Sequence, residues 1–145
     1  MKDLKNKIGF VHLLDPADIS DTDTKSKLLD LAGFESAVIG FQIGAITGVD
    51  GSNYLTPKLQ ESNTTVDGDF TDVAAADIEG AFSVINSTSL DQVIQVVGYK
   101  GTKRYVRLFL DYTGTAITAG IVGVFGVVSD ARREPVTAPA AVSAT

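Results

Sequence analysis

Apolar residues recur at two-residue spacing in several parts of the chain, and this pattern predicts β-strands. The first strong example is residues 36–46, SAVIGFQIGAI, which combine β-branched and aromatic residues with Gly40 and Gly44. Glycine inside a soluble helix would cost about 1 kcal/mol at each position, whereas β-branched and aromatic side chains suit a pleated sheet. We therefore expect a strand here, closed by the turn residues that follow in 48–53.

The glycines divide this predicted strand into two unlike faces. Their even spacing places them on one side of the sheet, which is then low in relief and open to close approach by another layer. The glycine-bearing face is expected to contain Val38, Gly40, Gln42, Gly44, Ile46 and Gly48. The opposite face is expected to contain Ile39, Phe41, Ile43 and Ala45.

Further strands follow along the chain. Residues 54–62 alternate, and Pro57, which has no N–H to donate, indicates an edge position or a bulge. Residues 92–100 and 103–111 flank Gly101-Thr102 and predict a β-hairpin with a two-residue turn, in which Val106, Leu108 and Leu110 share one side. Residues 116–129 have two apolar faces and predict a central strand covered on both sides, with Gly120 and Gly126 flattening one face.

One segment predicts a helix. Residues 72–82, DVAAADIEGAF, could form one or two turns that begin at Asp72 and end at Gly80. About six to eight short strands with frequent turns predict an all-β fold, a single-domain β-sandwich or jelly-roll-like barrel with at most one short helix and extended terminal arms.

The domain is expected to span residues 1–129, of which 1–30 form a partly extended N-terminal segment. Residues 130–145 are small and proline-containing, and they predict an extended C-terminal tail whose simplest support is a neighbouring subunit.

Composition narrows the functional classes. The chain has 145 residues, 44% of them hydrophobic, which is enough for one domain with a core. It has no cysteine, which excludes disulfides, thiolate metal sites and cysteine nucleophiles. Its apolar runs of about 13 residues are shorter than the roughly 20 that a membrane helix needs. We expect neither a membrane segment nor a secretory signal peptide.

Charge is unevenly distributed along the chain. The net charge is −6, but residues 1–98 carry 6 basic and 15 acidic side chains, whereas residues 99–145 carry 6 basic and 3 acidic. This asymmetry suits head-to-tail contact between copies or contact with a charged partner, although solubility alone explains it equally well. The acidic total argues against general nucleic-acid binding.

The sequence provides few candidates for chemistry. His12 is the only histidine, and without a G-x-S-x-G motif a packed or surface histidine is favoured over a catalytic triad. Two groups of aspartates resemble oxygen-rich calcium loops but lack EF-hand spacing, so solvated loops are favoured. These groups are Asp15, Asp18, Asp21 and Asp23, and Asp67, Asp69 and Asp72.

Other ligand classes are weaker still. The chain has no tryptophan platform for a sugar and no phosphate-binding loop. Residues 99–107, YKGTKRYVR, could stack and pair with single-stranded nucleic acid, but a protein-contact or solvent-facing hairpin is favoured. We assign no residue to a catalytic, cofactor-binding or metal site, and we expect a protein that is not an enzyme and has no cofactor.

Four stretches carry a resemblance to a known group of proteins. In order, LAGFESAVIGFQIGAI, NYLTPKLQES, DFTDVAAADIEGAFSVI and VGYKGTKRYVRLFL resemble small virion proteins in the head-gene set of tailed bacteriophages and prophages. The resemblance spans residues 31–128 and is a pattern of strands and turns, so no functional residue is carried over. It implies a non-enzymatic capsid decoration (cement) or auxiliary head protein with a β-sandwich fold.

The resemblance also implies partners and a location. Such proteins are made in the host cytoplasm, form small homo-oligomers and bind the major capsid protein at the capsid surface of the virion. We expect contacts through the N-terminal segment, the hairpin at residues 100–107 and the tail from Asp130 onward. The alternatives are a neck or tail component, either a tail terminator or a tail tube, and a calcium- or carbohydrate-binding β-module. The short predicted hairpin slightly favours the head over the tail.

Overall fold

The protein is all-β, as predicted, and consists of two antiparallel sheets packed as a sandwich. The computed structural model describes residues 3–20 and 22–145. The strands are β1 (Ile8–Asp18), β2 (Thr24–Lys25), β3 (Leu29–Asp30), β4 (Phe34–Thr47), β5 (Tyr54–Ser62), β6 (Thr71–Asp72), β7 (Ile78–Glu79), β8 (Ile94–Tyr99), β9 (Tyr105–Thr113) and β10 (Ala119–Ala131). The helical segments of the described residues are three 3₁₀ turns, at Asp67–Asp69, Ala75–Asp77 and Thr88–Leu90.

Each sheet is built around a long strand from the second half of the chain. Sheet one has the order β1-β10-β4-β8-β7, and sheet two has the order β2-β9-β5-β6, with β3 also paired to β9. β10 is central, as its two apolar faces predicted, because β1 and β4 pair with it on either side.

The core lies between the two sheets. Ile39, Phe41 and Ile43 of β4 point inward and are almost completely buried, and Leu108 and Leu110 of β9 meet them from sheet two. These side chains lie on the sides that the sequence predicted. Burial of large aliphatic and aromatic side chains contributes about 1.5–3 kcal/mol each, so this interior is the main source of stability.

A β-bulge changes the predicted faces of β4. Ile43 opposes Val122 and Ile46 opposes Gly120, so β4 has one residue more than β10 between these pairs. The extra residue reverses the alternation. As a result Ile46 is buried and Ala45 is exposed, and the prediction that all the glycines share one face with Ile46 is wrong.

The predicted hairpin is also wrong in its pairing. Both strands exist, but β8 pairs with β4 and β7 in sheet one, whereas β9 pairs with β5, β2 and β3 in sheet two. Residues 100–104 therefore form a crossover between the sheets, which we call the crossover. Alternating apolar residues predict a strand but do not identify the strand that pairs with it. Here β8 pairs with the long strand β4, and β9 pairs along its whole length with β5.

The predicted helix is reduced to a single 3₁₀ turn, Ala75–Asp77, between β6 and β7. Asp72 does not cap it. Asp72 lies in β6, where its carboxylate accepts a hydrogen bond of 2.9 Å from Gln60 Nε2. Helix propensity is a weak preference, and pairing of this segment with the edges of both sheets overrides it.

Pro57 lies at an edge, as predicted. Along the outer side of β5, Leu55 exchanges backbone hydrogen bonds with Ile85, and the Leu59 carbonyl accepts one from the Val73 N–H. Pro57 falls between these two contacts, where no strand is paired on that side of β5. Its missing N–H therefore leaves no gap in a ladder.

The C-terminal segment packs against its own domain. β10 continues to Ala131, two residues into the predicted tail, and the following residues 132–145, which we call the strap, cross from sheet one to sheet two. Leu28 and Val142 exchange two backbone hydrogen bonds of 2.7 and 3.1 Å, and the Thr145 N–H donates to the Thr65 carbonyl. The chain itself thus provides the support that was expected from a neighbouring subunit.

Candidate interaction surfaces

Three segments that the sequence marked as contact regions meet at one end of the sandwich. At this end β4 begins, β10 ends and the crossover passes between the sheets, and we call it the crossover end. A cavity of about 530 Å³ is bounded here by residues 31–37, by residues 99–104 and by Arg132. A second depression, along residues 131–139, shares Arg132 with this cavity, and a third, between residues 4–10 and the strap, adjoins the second at Ala138.

Beside the acidic Asp30, Glu35, Glu61, Glu79, Asp130 and Glu134, the crossover end has seven basic side chains. They are Lys5, Lys7, Lys100, Lys103, Arg104, Arg132 and Arg133. Four of them form ion pairs, namely Lys7 with Glu134, Lys100 with Glu79, Arg104 with Asp30 and Arg132 with Glu35. Within the described part of the chain, Lys5, Lys103 and Arg133 have no such pair, so their charges are available to an external partner.

The opposite end of the sandwich is acidic. Its loops, residues 19–23, 48–53, 85–93 and 114–118, contain no lysine or arginine. Most of its aspartates accept hydrogen bonds from backbone N–H groups. Asp50, for example, accepts from the N–H groups of Ser52 and Asn53, and these hydrogen bonds lower the pKa of Asp50. The charge asymmetry along the sequence thus becomes an asymmetry between two ends of the molecule.

The acidic groups proposed as calcium loops are dispersed. Asp15 lies 3.4 Å from His12 Nε2, Asp18 accepts from the Gly120 N–H and Asp23 accepts from the Tyr112 N–H, while Asp21 lies outside the described residues. Among residues 3–20 and 22–145, no group of three or more acidic, histidine or cysteine side chains is arranged to hold a metal ion.

The second acidic group is engaged elsewhere. Asp67 pairs with Lys25 and Arg107, whereas the carboxylate of Asp69 accepts a hydrogen bond from the Thr64 hydroxyl. The ion pair with Lys25, followed by that with Arg107, lowers the pKa of Asp67.

Arg107 was predicted to belong to a contact region, but its side chain is buried and holds the structure together. Its side chain is only 3% exposed. Its Nε donates to Gln60 Oε1 at 2.9 Å, its Nη1 donates to Asp67, and its guanidinium lies 4.2 Å from the centre of the Phe70 ring. The predicted contact region at residues 100–107 therefore shrinks to the crossover, because Arg107 is committed to the outer side of sheet two.

Tyr99 is similarly unavailable for stacking on a base. It is 7% exposed, and its hydroxyl donates to the Glu61 carboxylate of sheet two and accepts from the Lys103 N–H. Burial, together with the hydrogen bond to Glu61, raises the pKa of Tyr99. Tyr99 thus ties the end of β8 to both sheet two and the crossover.

His12 is a surface residue, one of the two outcomes that the sequence favoured. It lies on the outer side of β1 opposite Phe125, with its side chain 55% exposed. Its partner among the described residues is Asp15, at 3.4 Å.

The outer side of sheet one is an apolar surface. Its positions are Phe10, His12, Val38, Gly40, Gln42, Ile94, Val96, Gly98, Ile121, Gly123, Phe125 and Val127, which we call the sheet-one face. Phe10 is 68% exposed and Ile121 58% exposed, so the prediction that β10 is covered on both sides is wrong on this side. The alternation of β10 indicated two apolar faces but not how many layers cover them.

No family model matches the sequence, and no curated protein matches it significantly. Within the described residues, no helix is long and apolar enough to cross a membrane.

Proposed function

We propose that this chain is a non-enzymatic structural protein of a bacteriophage virion, which decorates the head by binding the major capsid protein. The observation that carries the proposal is the convergence of the N-terminal segment, the crossover and the strap at one end of the sandwich. The resemblance of residues 31–128 to small head-gene proteins supports the same function.

Electrostatics defines the partner surface for this end. Among the basic side chains there, Lys5, Lys103 and Arg133 form no ion pair within the described chain. An acidic surface on the capsid would complement them, and such complementarity speeds association and weakens with salt. The cavity beside the crossover gives that surface room to enter.

Occupancy on heads tests this proposal. Expanded heads that lack the chain would be incubated with the native protein or with the double variant Lys103→Glu, Arg133→Glu, and bound protein counted after sedimentation. We expect the double variant to bind at least about tenfold more weakly, in line with the loss of central charged contacts. Lys27→Glu is the control, because Lys27 is exposed and lies away from the crossover end.

The result would decide between clear alternatives. Native binding that weakens with salt, together with normal binding of Lys27→Glu, supports the proposal. Equal occupancy of all three proteins would show that the crossover end is not the contact, and absence of native binding to the head would contradict the decoration role.

A neck or tail component is the second candidate, and the polarity of the molecule favours it. The unpaired Lys5, Lys103 and Arg133 of one copy can meet the acidic loops of the next copy, and such head-to-tail contacts generate rings or stacks. A reconstruction of the particle distinguishes the two: density spread over the head surface supports decoration, whereas density in a ring or tube at the portal axis supports the second candidate.

A further inference from the structure

The two sheets present chemically opposite surfaces outward. On the outer side of sheet two, Lys58 pairs with Asp111, and Arg107 pairs with Asp67 beneath the 3₁₀ turn at Asp67–Asp69. The twelve positions of the sheet-one face contain no lysine, arginine, aspartate or glutamate, and the charged Glu79 and Asp18 border it beside Gly98 and Ile121. Antiparallel sheets commonly pack one side on the core and present a polar side to water, and sheet two follows this rule while sheet one does not.

The apolar side chains of the sheet-one face form a continuous surface. In register across the strands, one row runs Phe10, Val127, Val38 and Gly98, and the next runs His12, Phe125, Gly40 and Val96. A third row joins Gly123, Gln42 and Ile94. The exposed fractions of Phe10, Ile94 and Val96 are 68%, 62% and 49%, so solvent reaches both sides of the patch.

Glycine keeps this surface flat. Gly40 lies at its centre, and the side chains of Val96 and Phe125 close over it, so that a Cβ there would lie 2.6 and 2.7 Å from them. The covering layer over Gly40 therefore comes from neighbouring strands of the same sheet. Glu79 and Pro16 lie beside Gly98 and Gly123 in the same way, so neighbouring side chains fill the spaces that the glycines leave and the surface stays level.

We propose that the sheet-one face binds the same face of a second copy of this chain, in a two-fold symmetric dimer. Two copies with a net charge of −6 repel each other at a distance, and contact through the uncharged sheet-one face adds no local repulsion to this. A two-fold contact uses the same patch of both copies, and a patch without charged side chains opposes no like charges wherever the axis passes.

The area is sufficient for a specific contact. Four strands, each about 4.8 Å wide and about eight residues long, give a face of about 500 Å². Two such faces bury about 1,000 Å² in total, which is at the lower limit for specific protein interfaces. The strap does not compete for this face, because its contacts are with Gly9 at the edge of the sandwich and with Leu28 and Thr65 of the sheet-two side.

Sedimentation of the purified chain tests the dimer directly. We expect the native protein to dimerise in the micromolar range and Val96→Asp to raise the dissociation constant at least about tenfold, because the contact would bury an aspartate with no cation to pair with it. Val66→Asp is the matched control, since Val66 is 48% exposed but lies in the loop beside sheet two. Ile121→Asp on β10 is a second variant, and thermal unfolding confirms that each protein is folded.

Cross-linking provides an independent measurement. The chain has no cysteine, so any disulfide must come from an introduced one. Val38→Cys, near the centre of the face, is expected to form a disulfide-linked dimer on oxidation much faster than Val66→Cys. This measurement does not depend on the aspartate variants.

Salt separates this contact from a charged contact between opposite ends. An apolar dimer persists or strengthens in 1 M NaCl, whereas a head-to-tail contact weakens. Monomeric native protein at all accessible concentrations, a trimer, or equal effects of Val96→Asp and Val66→Asp would each overturn the proposal. The dimer is measured without heads, so its failure would leave the proposed virion function to its own test.

Discussion

Gly40 is a residue whose importance comes from its neighbours. It is buried although it lies on the outer side of β4, because Phe125 and Val96 from the two adjacent strands cover it. Gln95 adds a backbone limit, since its carbonyl oxygen would lie 2.9 Å from a Cβ at this position. A larger side chain would have to displace both covering side chains and strain the β4–β8 ladder.

Substitution of Gly40 by alanine is therefore expected to destabilise the protein by about 1–2 kcal/mol. Gly44→Ala is the control in the same strand, because its new Cβ would meet only ordinary contacts at 3.7 Å or more. Its effect should be neutral or slightly stabilising, because alanine has less backbone freedom in the unfolded chain. Urea unfolding of both variants measures the difference, and equal effects would contradict the crowding at Gly40.

At the scale of elements, the crossover decides how the two halves of the fold connect. It is anchored by Arg104, whose Nε and Nη2 donate to the two oxygens of Asp30 at 2.9 and 2.8 Å. Tyr99 holds its other end by accepting a hydrogen bond from the Lys103 N–H. Arg104 and Asp30 are 74 positions apart, so their contact requires the tertiary fold. Lys103 and Tyr99 are only 4 positions apart, so theirs is local.

The ion pair between Asp30 and Arg104 is expected to make the stability of the fold depend on pH. The hydrogen bonds with Arg104 hold the pKa of Asp30 below the usual 3.8, although burial partly opposes this shift. The ionised carboxylate therefore stabilises the fold fully above pH 3.8, and this contribution is lost as the pH falls through the lowered folded-state pKa. Asp30→Asn should reduce the free energy of unfolding at pH 7, and its gap to the native protein should close in acid.

Urea unfolding between pH 2 and pH 7 measures this gap. Glu35→Gln is the control, because Glu35 and Arg132 form a pair exposed on both sides, and exposed pairs contribute little. A gap between native protein and Asp30→Asn that is the same at pH 2 and pH 7 would contradict the assigned role of the carboxylate.

At the scale of the whole molecule, the strap closes one side of the sandwich. Leu28 is completely buried and lies between β2 and β3, where Val142 pairs with it. Ala138 and Ala141 pack against the core nearby. Removal of the strap would therefore expose apolar side chains as well as remove a contact region.

Val142→Pro tests this closure, because proline has no N–H to donate to the Leu28 carbonyl. We expect a loss of about 1–2 kcal/mol in the free energy of unfolding and faster hydrogen exchange at the Leu28 amide. Val142→Ala keeps the N–H and is the control for loss of the side chain alone. Unchanged exchange at Leu28 in the proline variant would show that the strap does not hold this edge.

The sequence by itself determined the class of structure and most of its strands. The alternation in β4, β5 and β9 identified the inward residues, and the missing N–H of Pro57 identified an edge, because both signals act within a few residues. Tertiary structure decided the rest, because it depends on partners distant in the chain. The bulge at Ile46, the separation of β8 from β9, the burial of Arg107 and the exposure of the sheet-one face all arise from which strand lies beside which, and a periodic pattern carries no record of that choice.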